Sequence, residues 1–460
     1  SIHEHGLAVS LINSALTEAQ CREELERVRS GESKLLYVTP ERFEGSEFVE
    51  ALREIGVSLL AADEAHCVSE WGYDFRPSYL RLREAAERLG RPTLLALTAT
   101  ATPWVRRDVV ERLGLRDPDV VVRDVDRPNL FFEVRRVEQE EEDFRVLREL
   151  LTETDEEYPP ETRDRLRHAM GGAGIIYCAT TRAAEETAGW LREWQIPADF
   201  YHGQRKKSDR ERVQDAFMSG ELRVIAATNA FGLGVDKPDV RFVIHRDAPA
   251  SVEEYYQQAG RAGRDGELAR CTLIFRPADL GRAAFLSAST RVTAEDLGRV
   301  RAALEQGRLA EEELARATGL GKGKMRRVLE LLRRRGLVET EPEAVRLREP
   351  FDPERVSLQS EESRKAYERS RVEMMRAYAD LWDCRRRYLL NYFGEEPEWE
   401  RCGCCDNDLL AGRSAAEPDA ELRPGAHVRH GAWGVGEVVE TTPSLLVVRF
   451  PSEGEKRLDA

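Results

Sequence analysis

Residues 57–76, VSLLAADEAHCVSEWGYDFR, decide how the chain is read. The apolar run Val57–Ala62 ends on two adjacent acids, Asp63 and Glu64, and Ala65 and His66 follow. A short apolar run bounded by polar residues reads as a buried strand of a parallel sheet. Acids at the carboxyl end of such a strand lie where open α/β sheets bind ligands. One carboxylate there can hold Mg²⁺ through its water shell, and its neighbour can polarise an attacking water. The competing reading is a strand that stops at a solvated acidic turn, and two acids alone do not choose between them.

The neighbouring segments extend the pattern. Leu7–Ile12 and Leu35–Val38 read as strands. Thr17–Val28 and Tyr79–Leu89 have helical spacing, the first with Thr17 as its N-cap. Residues 94–102, LLALTATAT, form a strand ending in Thr98 and Thr100. Those hydroxyls can link the Mg²⁺ site to a neighbouring domain; an ordinary β-branched strand end is the alternative. Strands alternating with helices imply a doubly wound parallel sheet.

The segments DEAHCVSEWGYDFRP, TPERF, LTATAT and DRPNL together resemble the RecQ family of DNA helicases, within the DEAH-type superfamily. The resemblance implies that Asp63 and Glu64 serve Mg²⁺ and water activation, and that His66 couples the nucleotide to the DNA site. It also puts Trp71, Phe75 and Arg76 in an aromatic-rich loop that senses single-stranded DNA. Aromatic faces stack on bases and arginine pairs with phosphate, so the role is physically sound; core anchoring of both aromatics is the alternative. Glu70 stands where the family commonly has Gln, and Tyr73 where it has His. Glu70 adds a negative charge beside that loop.

No G-x-x-x-x-G-K-[ST] phosphate loop occurs in these 460 residues. Such a loop supplies backbone N–H groups and a lysine to nucleotide phosphates. The resemblance puts it further upstream of the acidic strand than this chain reaches. The expectation is a truncated first lobe, with the ATPase function belonging to the full-length protein.

Beyond an acidic cluster at Glu138–Asp143, residues 152–167 are charged and contain Pro159-Pro160, which reads as a hinge plus an exposed insertion. Strand, helix and strand candidates then lead to NAFGLGVDKP, where Gly232 and Gly234 allow a tight backbone path near a nucleotide or DNA phosphate. In SVEEYYQQAGRAGRDG, Gln257, Arg261 and Arg264 recur at helical spacing and are expected to share one face. Arginines so held can reach a transferring phosphate across a cleft; a salt-bridged surface helix is the bland alternative. The resemblance makes Arg264 the arginine finger, with Arg261 and Gln257 supporting. It puts Asp236 at the nucleotide side of the cleft, and His202, Thr228 and Asn229 nearer the DNA track.

The C-terminal third departs from the usual family layout. Residues 295–349 suit a winged helix, with Gly319 near the turn and Lys322, Lys324, Arg326 and Arg327 opening the second helix, where phosphate contacts are common. A protein-docking helical pair is the alternative. In typical RecQ proteins a winged helix follows the zinc domain, whereas here it precedes it. Cys384, Cys402 and Cys405 match three zinc ligands of the RecQ zinc domain, and the fourth family cysteine falls at Asp408. Asp408 or Cys404 can complete the set; free thiols in a degenerate site are the alternative. After a small, polar linker, residues 422–460 alternate as short strands and resemble the Tudor-like barrel at the C-terminus of UvrD-type helicases.

Composition constrains the partners. Formal net charge is −15, so nucleic-acid contact must come from local patches. Eight cysteines, four of them within 384–405, favour metal binding in a reducing cytoplasm over a disulfide scaffold. No run approaches a membrane span. The expected architecture is α/β: two RecA-like parallel-sheet lobes, the first truncated (1–136) and the second at 137–290. A winged helix (295–349), a zinc-binding helical domain (355–410) and a small β-barrel (422–460) follow. The implied activity is ATP-dependent, 3′-to-5′ unwinding of DNA in recombination and repair, with ATP, Mg²⁺ and Zn²⁺ as cofactors. Single strands, duplex junctions and repair proteins are the implied partners. The competing class is a DNA-binding protein without ATPase activity, for which the missing phosphate loop speaks.

Overall fold

The computed structural model describes residues 8–13, 16–69, 75–123, 125–152, 158–232, 235–279, 292–341, 344–356, 359–414, 427–430, 434–442, 445–450 and 454–458.

In the first lobe, strands β1 (Val9–Ile12) and β2 (Leu35–Val38) pair in parallel, as do β3 (Leu59–Ala62) and β4 (Thr93–Ala96). Thr17 caps the helix Glu18–Arg29 through a reciprocal box with Gln20. Helices Ser46–Ile55, Arg81–Arg88 and Pro103–Leu113 send Val49, Leu52, Leu82, Val105 and Val109 onto the face that carries Ala62. The run Val57–Ala62 reads as a buried strand, but the burial is one-sided. Leu11, Tyr37 and Leu95 are exposed, and Leu59 is 52% exposed. Among the described residues no element covers that face.

The second lobe shows what full coverage looks like. Strands β5 (Leu130–Arg136), β6 (Ala173–Tyr177), β7 (Ala198–Tyr201), β8 (Val224–Ala227), β9 (Val240–His245) and β10 (Ala269–Phe275) form one parallel sheet in the order β5-β10-β9-β6-β8-β7. Every residue of β8 and β10 is buried, as near-continuous apolar runs require. Two corrections to the expected layout follow. β5 lies within the stretch assigned to the first lobe, yet it pairs with β10 in the second lobe's sheet. The expected exposed insertion is, from Tyr158 onward, a packed segment: Tyr158 and Leu166 of the helix Pro160–Met170 bury against Phe131.

A buried charge cluster locks β5 to β10. Glu133 accepts hydrogen bonds from Arg270 (2.6 and 2.9 Å), Thr272 and Tyr158, and Arg135 lies 3.3 Å away. Burial alone would raise the Glu133 carboxyl, but attraction to Arg270 and Arg135 outweighs it and brings it from 4.5 to about 2. A carboxyl depressed on folding contributes stability that is fully present above its unfolded pKa, 4.5, and is lost as pH falls through about 2. The contribution is about 3 kcal/mol. Glu133→Gln leaves two arginines short of their counter-charge. It should cost about 3–5 kcal/mol in urea unfolding at neutral pH and flatten the loss of stability between those two pH values.

Residues 292–356 form a unit of three helices and a hairpin. Helices Ala294–Glu305, Glu311–Thr318 and Lys322–Arg334 pack with the antiparallel hairpin β11 (Val338–Glu341) and β12 (Ala344–Leu347) around Leu297, Leu314, Val328, Leu332 and Val345. The cysteine-bearing helices Gln359–Ala379, Arg385–Tyr392 and Asp406–Ser414 dock on the free edge of β5. Phe132 bridges to Cys405, and the Val134 N–H donates to Asp406 Oδ2 at 2.9 Å, which shields an edge strand from outside pairing. The same region also touches the first lobe. Arg106 Nη2 donates to the Phe393 carbonyl at 3.0 Å, and Gly394, at φ +84°, lies so close that a Cβ would sit 2.6 Å from Pro103 Cγ. The C-terminal barrel region is a four-stranded antiparallel meander: β13 (His427–His430), β14 (Gly434–Thr442), β15 (Leu445–Phe450) and β16 (Gly454–Leu458). Among the described residues no helix is long and apolar enough to cross a membrane.

Candidate active-site cleft and metal centre

The acidic loop leaves β3 at Ala62 and is stitched to the end of β4: the Ala65 N–H donates to Leu97 O at 2.8 Å, and the Leu97 N–H to Ala62 O at 2.9 Å. Asp63 is exposed and accepts from the Glu64 N–H at 2.9 Å. Glu64 sits at φ 48°, a left-handed conformation that costs a residue with a Cβ about 1–3 kcal/mol. Its carboxylate lies 3.4 Å from His66 Nδ1. His66 is buried in the 3₁₀ turn Ala65–Val68, and its Nδ1 meets Thr98 Oγ1 at 2.9 Å. Thr98 in turn donates to Thr100 O at 3.2 Å. The two threonines therefore act in series with His66, and Thr100 is itself buried. Tyr79 donates to Asp63 O, and burial pushes its phenol up to about 12, so it remains a donor at neutral pH.

Facing this loop is the second lobe. A cavity of about 360 Å³ lies between them, lined by Glu64, His66, Arg76 and Tyr79 on one side. Asn229, Gln257, Gln258 and Arg261 line the other. Gln257 comes from the helix Val252–Ala259, capped by Ser251. The expected shared helical face does not form, because the helix ends at Gly260 and both arginines lie in the turn beyond it. That turn is held from outside: Arg127 donates to the carbonyls of Gly260, Ala262 and Gly263 at 2.9–3.1 Å, and Asn129 donates to Gly263 O at 2.8 Å. Sequence reasoning gave these two residues of DRPNL no role. Arg261 donates to the Gly232 carbonyl, and a Cβ on Gly232 would lie 2.3 Å from the guanidinium carbon. Arg264 pairs with Asp236 at 2.5 Å on the surface and does not line the cavity.

The remaining expected residues scatter. Phe75 is half-buried near the cavity-lining Arg76, while Trp71 and Gly234 fall outside the described residues. His202 is buried, stacked on Phe200 and bonded to Glu185 at 3.0 Å, and Thr228 is buried beside Asn229. Of the four basic residues expected to face DNA, two are committed to acids of the chain: Lys324 to Asp296 at 2.8 Å and Arg327 to Glu368, on the helix Gln359–Ala379, at 3.6 Å. Lys322 and Arg326 are exposed.

The metal-ligand candidates do come together. Ligand atoms of Cys384, Cys402, Cys405 and Asp408 all lie within 4.8 Å of one another. A tetrahedral zinc with Zn–S near 2.3 Å separates neighbouring ligand atoms by about 3.8 Å, so the donor set fits. Clustering holds the Cys384 thiol down, through hydrogen bonds from Cys402 and Cys405, and pushes the Cys402 thiol up, as expected of thiols that share one charge. Asp408 is oriented by the N–H groups of Cys402 (2.6 Å) and Gly403 (3.0 Å). Cys404 turns away and packs against the Phe131–Tyr158 cluster. We therefore expect Asp408→Ala to lower zinc affinity by at least about 10-fold in chelator competition, and Cys404→Ala to leave it unchanged.

Three domain patterns of known proteins match this chain. The DEAD/DEAH box helicase pattern matches residues 2–108, the helicase conserved C-terminal domain residues 157–266, and the RecQ zinc-binding pattern residues 333–409. The chain is 39% identical over 281 residues to the ATP-dependent DNA helicase RecQ of Bacillus subtilis, covering 61% of this chain and 44% of that protein. It is 41% identical over 254 residues to the ATP-dependent DNA helicase Q-like 2 of Arabidopsis thaliana, covering 54% and 34%. It thus spans less than half the length of these two relatives. With the probable ATP-dependent DNA helicase RecS of Bacillus subtilis it shares 34% identity over 404 residues, covering 86% of this chain and 75% of that protein. With that coverage, and with all three domain patterns in order, the chain belongs to the RecQ family of ATP-dependent DNA helicases.

Proposed function

We propose that this chain carries most of the motor of a 3′-to-5′ DNA helicase, in which ATP hydrolysis between the lobes drives single-strand translocation and duplex unwinding in recombination and repair. The observation that carries the reading is the cavity lined by Glu64 and His66 from one lobe and Gln257 and Arg261 from the other. ATP with Mg²⁺ would supply the phosphoanhydride and offset its charge; Asp63, exposed at the strand's carboxyl end, is the carboxylate that would hold the hydrated ion. Glu64 accepts a proton from the attacking water. His66 and Thr98 hold Glu64 in register and pass its position to Thr100. Arg264 leaves Asp236 for the transferring phosphate when the lobes close. Arg76 and Asn229, on opposite walls of the same cavity, are the DNA contacts that change partners on closure. Eight cysteines, three of them candidate zinc ligands, suit a reducing cytoplasm.

The phosphates also require a Gly-rich loop that these 460 residues lack. This favours a second reading for the chain by itself, DNA binding without turnover. The test compares the chain with a form extended at its N-terminus by a phosphate-loop segment, on partial duplexes carrying a 3′ or a 5′ single-stranded tail. The proposal expects ATP-dependent unwinding of the 3′-tailed substrate by the extended form. Binding of ATP and DNA with no unwinding of either substrate would refute it.

A further inference from the structure

We infer that Arg386 and Arg127 are positioning residues for ATP hydrolysis: in series, they set where the turn carrying Arg261 and Arg264 stands. This rests on the reading that Arg264 serves the transferring phosphate. The helix Val252–Ala259 ends at Gly260, so the carbonyls beyond it have no helical partners. Arg127 supplies donors from outside: Nη1 to Gly260 O at 3.1 Å, and Nη2 to Ala262 O and Gly263 O, both at 2.9 Å. These acceptors flank Arg261 and end one residue before Arg264. Asn129 adds bonds to Gly263 O and Glu267 O, each at 2.8 Å. A planar fork on three carbonyls fixes the direction of the backbone, and the two arginine side chains leave from that backbone.

The clamp is itself held. Arg386 is buried in the first turn of the helix Arg385–Tyr392, whose N-cap residue is Cys384. One of its nitrogens, Nη2, donates to Leu130 O at 2.7 Å, Pro128 O at 2.9 Å and Arg127 O at 3.3 Å. Its Nε lies 3.5 Å from Asp126 Oδ1. Just upstream, Glu395 accepts from the Val125 N–H. Tyr256, on the helix that leads into the arginine turn, donates to Val125 O. The backbone of Arg127 is thus fixed from the cysteine-bearing region, while its side chain fixes the turn in the second lobe. Removing the Arg386 guanidinium strips the carbonyls around Arg127 of a buried donor, and the clamp shifts. The shift need not be large, because a misplacement of about 1 Å can cost about 10²-fold in rate.

The test is a double-mutant cycle on DNA-stimulated ATP hydrolysis by the form extended with a phosphate-loop segment: Arg386→Ala, Arg264→Ala and the two together. Arg386→Ala should lower kcat about 10- to 100-fold, with the KM for ATP and the affinity for labelled oligo-dT within about two-fold of the parent. In the Arg264→Ala background the same change should cost less than about two-fold, because the turn has then lost the group it positions. Arg386→Lys should recover part of the rate, since one ammonium can serve one cluster of carbonyls. Arg127→Lys should stay slow, since a single ammonium cannot span the acceptors of a fork. Should Arg386→Ala fail to fold, Arg127→Lys, which keeps its charge, takes its place in the cycle. A kcat within two-fold of the parent, or an equal loss in both backgrounds, overturns the inference and leaves the contacts purely structural. If the extended form does not turn over ATP, or Arg264→Ala leaves kcat near the parent rate, the reading of the arginine turn falls and this inference with it, which separates the two failures.

Discussion

Arg264→Ala is expected to lower single-strand-stimulated ATP hydrolysis by the phosphate-loop-bearing form about 10³-fold, with the KM for ATP changed only a few-fold. The size is that of losing an arginine that meets charge only in the transition state. The structure explains how Arg264 can fill that role while standing outside the cavity. Its partner Asp236 is 83% exposed, and an exposed ion pair is worth about 0–1 kcal/mol, so the exchange for phosphate costs little. Arg261 is committed differently, because its guanidinium is bonded to the Gly232 carbonyl and fills the space a Cβ there would need. Arg264→Lys should recover little, since a lysine cannot reproduce the planar fork that meets two phosphate oxygens. If Arg261→Ala abolished turnover while Arg264→Ala left it near the parent rate, the assignment would pass to Arg261.

Glu64→Gln is expected to cost a similar factor, about 10³-fold in kcat, while oligo-dT affinity stays within two-fold. The change removes the proton acceptor and keeps the shape, so the strained turn at Glu64 and the Thr98 contact of His66 should persist. A variant in which ATP still binds and DNA still stimulates binding, but turnover is gone, separates chemistry from assembly. Turnover reduced less than about ten-fold would mean that another group accepts the proton.

The placement of the acidic loop was legible because its parts are contiguous: a strand, two acids and a histidine in one stretch, with TAT a short distance on. The parallel sheets followed from alternation of strand and helix. What could not be read depended on partners far along the chain. Arg127 clamps carbonyls 133 to 136 positions away, and nothing local marks it. Spacing made Gln257, Arg261 and Arg264 look like one face; Gly260, tolerable within a helix, instead ends it, and the external clamp then shapes the turn. Lys324 and Arg327 looked free at a helix start until Asp296 and Glu368 were folded against them. The one-sided burial of β3 was equally hidden, since the run VSLLAA does not say which of its faces has a neighbour. Asp408 was an ambiguous fourth ligand in sequence; backbone N–H groups that orient it, and the turning away of Cys404, distinguish the two candidates.

The most direct test of the central claim is ATP hydrolysis with and without single-stranded DNA, measured side by side on the 460-residue chain and on the form extended by a phosphate-loop segment. The account predicts no turnover by the chain alone, and DNA-stimulated turnover by the extended form that Glu64→Gln abolishes. DNA-stimulated turnover by the unextended chain would contradict it, because some other segment of these residues would then have to cradle the phosphates.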